Sequence, residues 1–246
     1  MDSGFYAACT ALMARSQALD TVANNLANTS TPGYRAHHDI FSSVLARASM
    51  GHLSNINQAI NNYGILGGSQ LDLSQGNLER TGNDLDLAIE GKGFFVVQTA
   101  AGQVYTRNGN FHVSTAGQLV TSEGDAVLGQ QGSIPIVGGP VSISADGTIS
   151  INGAVAGSIK MVEFPTGTQL ESVGKTYYSA PANSATTATQ SLIQQGTLES
   201  SNANPVTGAV ELVAVQRYAE LMQRALSMFH TDMNAVAQDL ARVSPS

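Results

Sequence analysis

Residues 211–242 read ELVAVQRYAELMQRALSMFHTDMNAVAQDLAR, and their spacing sets the architecture of the chain. Leu212, Val215, Ala219, Met222, Leu226, Phe229, Met233, Val236 and Leu240 recur by threes and fours without a gap. That is a helical seam of 3.5-residue period held over four heptads. Glu211, Gln216, Arg217, Glu220, Arg224 and Asp232 fall off the seam. A helix over Thr207–Arg242 runs roughly 54 Å at 1.5 Å per residue.

A second helix is expected at the other end. Phe5, Leu12, Leu19 and Leu26 lie seven apart, and Ala8, Cys9, Val22 and Ala23 widen the stripe. Asp2 and Ser3 suit the helix start, whereas Thr31-Pro32-Gly33 cannot continue it. Between the helices the pattern changes to short strands. Phe94–Val97 reads as a buried strand, and Asn108-Gly109 and Asp146-Gly147 read as hairpin turns between alternating segments. Asn152-Gly153 starts another turn, and residues 182–191 read as a small polar loop. Residues 49–70 are rich in Asn, Gly and Ser and read as an extended connector, with Ile40, Phe41, Val44 and Leu45 able to extend a helix.

The expected class is therefore α+β, with long N- and C-terminal helices forming a coiled-coil-like pair around an inserted, mainly β domain. The expected divisions are a helix over 1–30, a connector over 31–75, a β-rich outer domain over 76–195 and the heptad helix over 196–246. Burying one large apolar side chain is worth about 1.5–3 kcal/mol. Two such helices cannot cover both stripes by themselves, so the sequence specifies an assembly subunit.

Composition narrows the function. Of 246 residues 42 % are hydrophobic and 12 % charged, with net charge -7 and three lysines, Lys92, Lys160 and Lys175. An acidic chain lacks the basic stripe that nucleic acid or an anionic membrane surface requires. No apolar run reaches the ~18 residues of a membrane span, and Met1–Gly4 does not begin a cleaved leader. A single cysteine leaves no intrachain disulfide and no cysteine-based zinc site.

No catalytic, cofactor-binding or metal-binding residue is expected. His37, His38, His52, His112 and His230 lack metal-ligand spacing, and adjacent His37-His38-Asp39 suits a solvated loop. Asp84, Asp86 and Glu90 alternate with Leu85, Leu87 and Ile89 as one polar strand face would. Gly91-Lys92-Gly93 lacks the spacer of a phosphate loop and reads as a turn; Cys9 reads as a packed thiol.

Residues 23–36, ANNLANTSTPGYRA, resemble the signature of the bacterial flagellar rod and hook axial proteins. DLAIEGKGFFVV at 86–97, YTRNGNFHVSTAGQL at 105–119 and GTLESSN at 196–202 continue the resemblance in order, followed by Pro205-Val206 and the heptad helix. Met1-Asp2 and Asn204-Pro205-Val206 are most similar to the proximal rod subtype, with the distal type as the alternative. The chain departs from the pattern at Ala203 and Gly208-Ala209.

The resemblance implies a non-enzymatic subunit without cofactor, exported unfolded by the flagellar type III apparatus without a cleaved signal peptide. It implies helical polymerisation in the periplasmic rod, next to copies of itself and other rod axial proteins. The rod would act as a drive shaft carrying torque from motor to hook. No nucleic acid and no direct membrane insertion are expected. Asn24, Asn25, Asn28, Pro32, Gly33, Tyr34 and Arg35 join the two seams as the expected assembly interface, since the Asn cluster exceeds what a helix stop needs. A wall-cleaving hydrolase would need two carboxylates across a cleft, and a secreted adhesin would not need a terminal heptad helix.

Overall fold

The computed structural model describes residues 2–42 and 65–242. Helices α1 (Asp2–Ala27) and α2 (Pro205–Arg242) lie at the two ends of a run of short strands. The chain divides into two compact units. One gathers Met1–Leu26, His37–Gln70 and Pro205–Ser246; the other is Ala27–Ala36 with Leu71–Asn204.

In the first unit, β1 (His37–Ser42) pairs with β2 (Ile65–Leu71). Ile40 and Phe41 thus belong to a strand, where the sequence suggested a helical extension; Val44 and Leu45 lie outside the described residues. Asn25 at the end of α1 holds β1 from both sides. Its Nδ2 donates to the His37 carbonyl at 2.7 Å, and its Oδ1 accepts from the His37 amide at 2.9 Å. Thr21 Oγ1 donates to Asp39 Oδ1 at 3.0 Å.

The expected α+β class with a coiled-coil-like helix pair is overturned. The central part of the described chain is largely β, and along the described side chains its two helices are not zipped. Knobs-into-holes packing buries both seam positions of each helix. Here the heptad residues Leu12, Leu19 and Leu26 are half-buried, and the buried positions among the described side chains of α1 are Ala14 and Ala18. On α2, Leu212, Val215, Ala219 and Met222 are half-covered. The helices touch through small and flexible groups instead: the Arg15 guanidinium lies 5.5 Å from the Tyr218 ring centre, and Leu26 reaches Gly208.

The second unit is built on β5 (Phe94–Thr99), which pairs with β6 (Gly102–Thr106) on one edge. On the other edge it pairs with β9 (Ala126–Gly129) and β14 (Met161–Glu163). Alternate β5 side chains enter two different cores. Phe95 joins Leu87, Ile89, Phe111, Leu119, Ile149 and Ile159, whereas Phe94 and Val96 join Val162 and Tyr178. A strand covered on both faces needs apolar residues throughout, which accounts for the unbroken FFVV run.

The main path of the sheet runs from β15 (Glu171–Ser172) and β16 (Tyr177–Ser179) through β6, β5 and β9. It ends at β8 (Leu119–Thr121) and β7 (Phe111–Val113). A three-stranded sheet joins β11 (Val141–Ile143), β12 (Thr148–Ile151) and β13 (Ala154–Ser158). Its two hairpins turn at Asp146-Gly147 and Asn152-Gly153, where positive φ at Gly147, Asn152 and Gly153 supplies the reversal.

Asn108-Gly109 behaves differently from the expected hairpin. β6 pairs with β5 and β16, and β7 with β8, so the chain crosses between them without folding back. Gly109 is needed there for close approach, since a Cβ would collide with the Leu87 carbonyl. The polar-face reading of 84–90 is also corrected. β4 (Leu87–Glu90) buries Leu87, Ala88 and Ile89 together, and Asp86 is buried with them. Its carboxylate accepts from Thr81 Oγ1 at 2.7 Å and Asn110 Nδ2 at 3.1 Å. The 182–191 stretch carries a short strand, β17 (Thr186–Thr187), and a buried Ser191 that donates to Glu163 Oε1.

Candidate functional site

Thr31-Pro32-Gly33-Tyr34-Arg35 leaves α1 by a turn, with Thr31 N and Oγ1 both donating to Asn28. Gly33 then takes φ of 71°, and its missing Cβ admits the Asn108 backbone. Its amide donates to the Glu199 carbonyl at 2.8 Å. These constraints send the Arg35 side chain into the dry interior.

There Arg35 Nη2 meets Glu199 Oε1 at 2.7 Å, and Arg107 Nη1 meets Glu199 Oε2 at 3.1 Å. Arg35 and Glu199 are 0 % exposed and Arg107 2 %. Arg107 also donates to the carbonyls of Ile89 and Gly91, and its guanidinium lies 4.9 Å from the Phe94 ring centre. The Gly76 amide donates to Glu199 Oε1, and the Arg35 amide to Tyr178 Oη. β3 (Leu78–Arg80) and β19 (Thr197–Glu199) pair alongside and place Glu199.

Two guanidiniums thus share one carboxylate, leaving the knot with a surplus positive charge. Arg35 Nε, Arg35 Nη1 and Arg107 Nε find no hydrogen-bond partner among the described residues. Burial pulls the Arg107 guanidinium down to about 10; Glu199 opposes that shift and Arg35 adds to it. Burial pushes the Tyr178 phenol up to about 12 and raises Tyr34 as well.

Asn202 completes the root of the unit. It accepts the Ala36 amide at 2.7 Å and donates to the carbonyls of Asp72 and Ser74. The segments leading out of α1 and into α2 are thereby tied to each other within this unit. Arg35, Gly91, Arg107 and Glu199 come one from each of the four sequence blocks quoted above, so the blocks meet in a single knot. The arrangement is suited to holding chain segments, since every charged atom in it is turned inward. Among the described residues no group of three His, Cys, Asp or Glu side chains converges as a metal site would.

The expected interface residues divide by position. Gly33, Tyr34 and Arg35 are buried in the knot's unit, and Pro32 is half-buried there. Asn25 and Asn28 are engaged within the chain as described, while exposed Asn24 donates back to the Asp20 carbonyl. The side chains of Phe5, Cys9, Leu226, Phe229, Met233, Val236 and Leu240 lie outside the described set.

Sequence reading missed Arg107, Glu199 and Asn202, although all three stand inside the quoted blocks. It also missed a second stripe on α2. Val206, Val210, Val213, Leu221 and Met228 lie opposite the seam and are 49–71 % exposed. Their spacing of four, three, eight and seven was there to be read, but Arg217 and Arg224 interrupt it.

A largely β central unit with a closed ionic root, and a helix α2 that leaves Val206, Val210, Val213, Leu221 and Met228 exposed, suit a structural assembly protein. The comparisons agree. Residues 88–151 match the family described as the flagellar hook protein FlgE/F/G D1 domain, and residues 5–35 match the flagella basal body rod protein family. The chain is 34 % identical to the flagellar basal-body rod protein FlgF of Mesorhizobium japonicum, over 89 % of this chain and 90 % of that protein. It is 32 % identical to FlgF of Caulobacter vibrioides over 92 % and 93 %, and 30 % identical to FlgG of Buchnera aphidicola subsp. Acyrthosiphon pisum over 89 % and 92 %. The chain belongs to the flagellar basal-body rod protein family, as a structural component of the rod in the flagellar basal body.

Proposed function

We propose that this chain polymerises helically, with copies of itself and other rod axial proteins, into the periplasmic shaft that carries torque from motor to hook. Its terminal helices line the inside of the shaft and its β unit thickens the outside. The subunit performs no catalysis and reaches the rod through the flagellar export apparatus. Within the family we assign it to the proximal type, on Met1-Asp2 and Asn204-Pro205-Val206.

The observation that carries this reading is the doubly apolar α2. Its seam is half-covered within the chain, and the opposite face shows Val206, Val210, Val213, Leu221 and Met228 to solvent. A monomer gains nothing from that second face, whereas a packed neighbour removes it from water. Leu221→Asp tests the point. It should leave monomer unfolding within about 0.5 kcal/mol, as expected for an exposed site, while abolishing rod incorporation and swimming. Normal motility with L221D would refute the assignment of this face.

A further inference from the structure

The two ends of the main sheet in the β unit carry unlike features. At the β7 end lies an open groove of about 530 Å³, lined by Asp84, Leu85, Val113, Ile136, Pro140 and Val141. Val113 is 41 % exposed, and the Asp84 carboxylate has no ion-pair partner among the described residues. At the β15 end the hairpin between β15 and β16 projects Val173, Gly174 and Lys175. Val173 is 55 % exposed, and the tip is braced by Val173 N donating to the Tyr177 carbonyl and Ser172 Oγ to that of Gly174.

We propose that the β15–β16 hairpin tip of one copy docks into the groove of the next, seating Val173 against Leu85 and Val113 and pairing Lys175 with Asp84. Lys175 is the charged residue of the 173–175 tip, and Asp84 is the charged residue among those lining the groove. The knob and the groove are different patches of one surface, so seating one copy's knob in the next copy's groove makes a heterologous, head-to-tail contact. Such a contact does not close on a pair and propagates as a ring or an open helix. This inference rests on the rod-subunit reading and adds the outer contact that the helices do not supply.

The test uses cells whose sole copy of the full chain carries Asp84→Cys with Lys175→Cys, and each single variant as control. Basal bodies are isolated, mildly oxidised and run without reductant. The double variant should give a ladder of two, three and more copies, at least about tenfold above either single variant. Separately, Asp84→Lys or Lys175→Asp should cut incorporation by about tenfold, since like charges then face each other, and the two together should restore it. Both positions are exposed, so thermal unfolding of the purified variants should match the parent chain.

If the chain is present in basal bodies but the double variant cross-links no better than the singles, the docking inference fails and the rod reading stands. Dimers without higher species would overturn the head-to-tail arrangement, and a cross-linked product of another mass would overturn the choice of a second copy. Absence of the parent chain from basal bodies overturns both readings.

Discussion

Glu199 is the residue on which the β unit's interior charge balance depends. Replacing it with Gln leaves Arg35 and Arg107 buried without a counter-ion, and such a loss costs about 3–5 kcal/mol. Arg35→Met is expected to cost less, because Arg107 still neutralises Glu199 and the surplus charge disappears. Denaturant unfolding of the two variants checks the order; a milder effect for E199Q than for R35M would contradict it. Buried phenols of the β unit set an alkaline limit. Burial raises Tyr34, Tyr177 and Tyr178, the last to about 12. Above pH 10 the unfolded chain therefore sheds phenolic protons that the folded chain keeps, and stability falls as pH rises. Arg107 acts in the opposite direction, since its folded value near 10 lies below the ordinary 12.5. One group against three leaves a net loss, so tyrosinate absorbance should rise together with unfolding between about pH 10 and 12.

The elements show which kinds of information a sequence carries in the open. The α1 and α2 spans follow from local periodicity, and β5 from four consecutive apolar residues that both faces bury. Partnership is not local. Asn108-Gly109 has the composition of a hairpin turn, but Arg107 just before it is anchored to Glu199 and to the Ile89 and Gly91 carbonyls, which directs the chain across the unit. Asp86 looked like a surface carboxylate because its donors, Thr81 and Asn110, come from separate segments. The seam leucines of α1 suggested a zipper, yet alanines occupy the buried positions among its described side chains; period alone does not fix which face a helix turns to its partner. Asn25 links α1 to β1, and Asn25→Ala should strip the His37 amide and carbonyl of their shared partner. About 1–3 kcal/mol of local stability is at stake, visible as faster amide exchange in β1 with β5 unchanged. Acid should act the same way, because burial lowers the His37 imidazole against the opposing pull of Asp39. The unfolded segment then takes up a proton first as pH falls through about 6.5.

At the scale of the whole molecule, one of the two compact units holds its shape by itself. The β unit contains both apolar cores and the ionic knot, all drawn from Ala27–Ala36 and Leu71–Asn204. Deleting residues 207–246 should therefore leave it folded, with unfolding of the β signal within about 1 kcal/mol of the intact chain, while no rods incorporate the product. Circular dichroism of the purified fragment and electron microscopy of basal bodies read the two outcomes; a truncated chain that still enters rods would contradict the division.

Arg35 and Glu199 are 164 positions apart. A ribosome finishes the arginine long before it reaches the glutamate, and until then two guanidiniums have no anion with which to enter a dry interior. Closure of the β unit thus waits until Glu199 has been made, and everything before it is synthesised without the knot's anion.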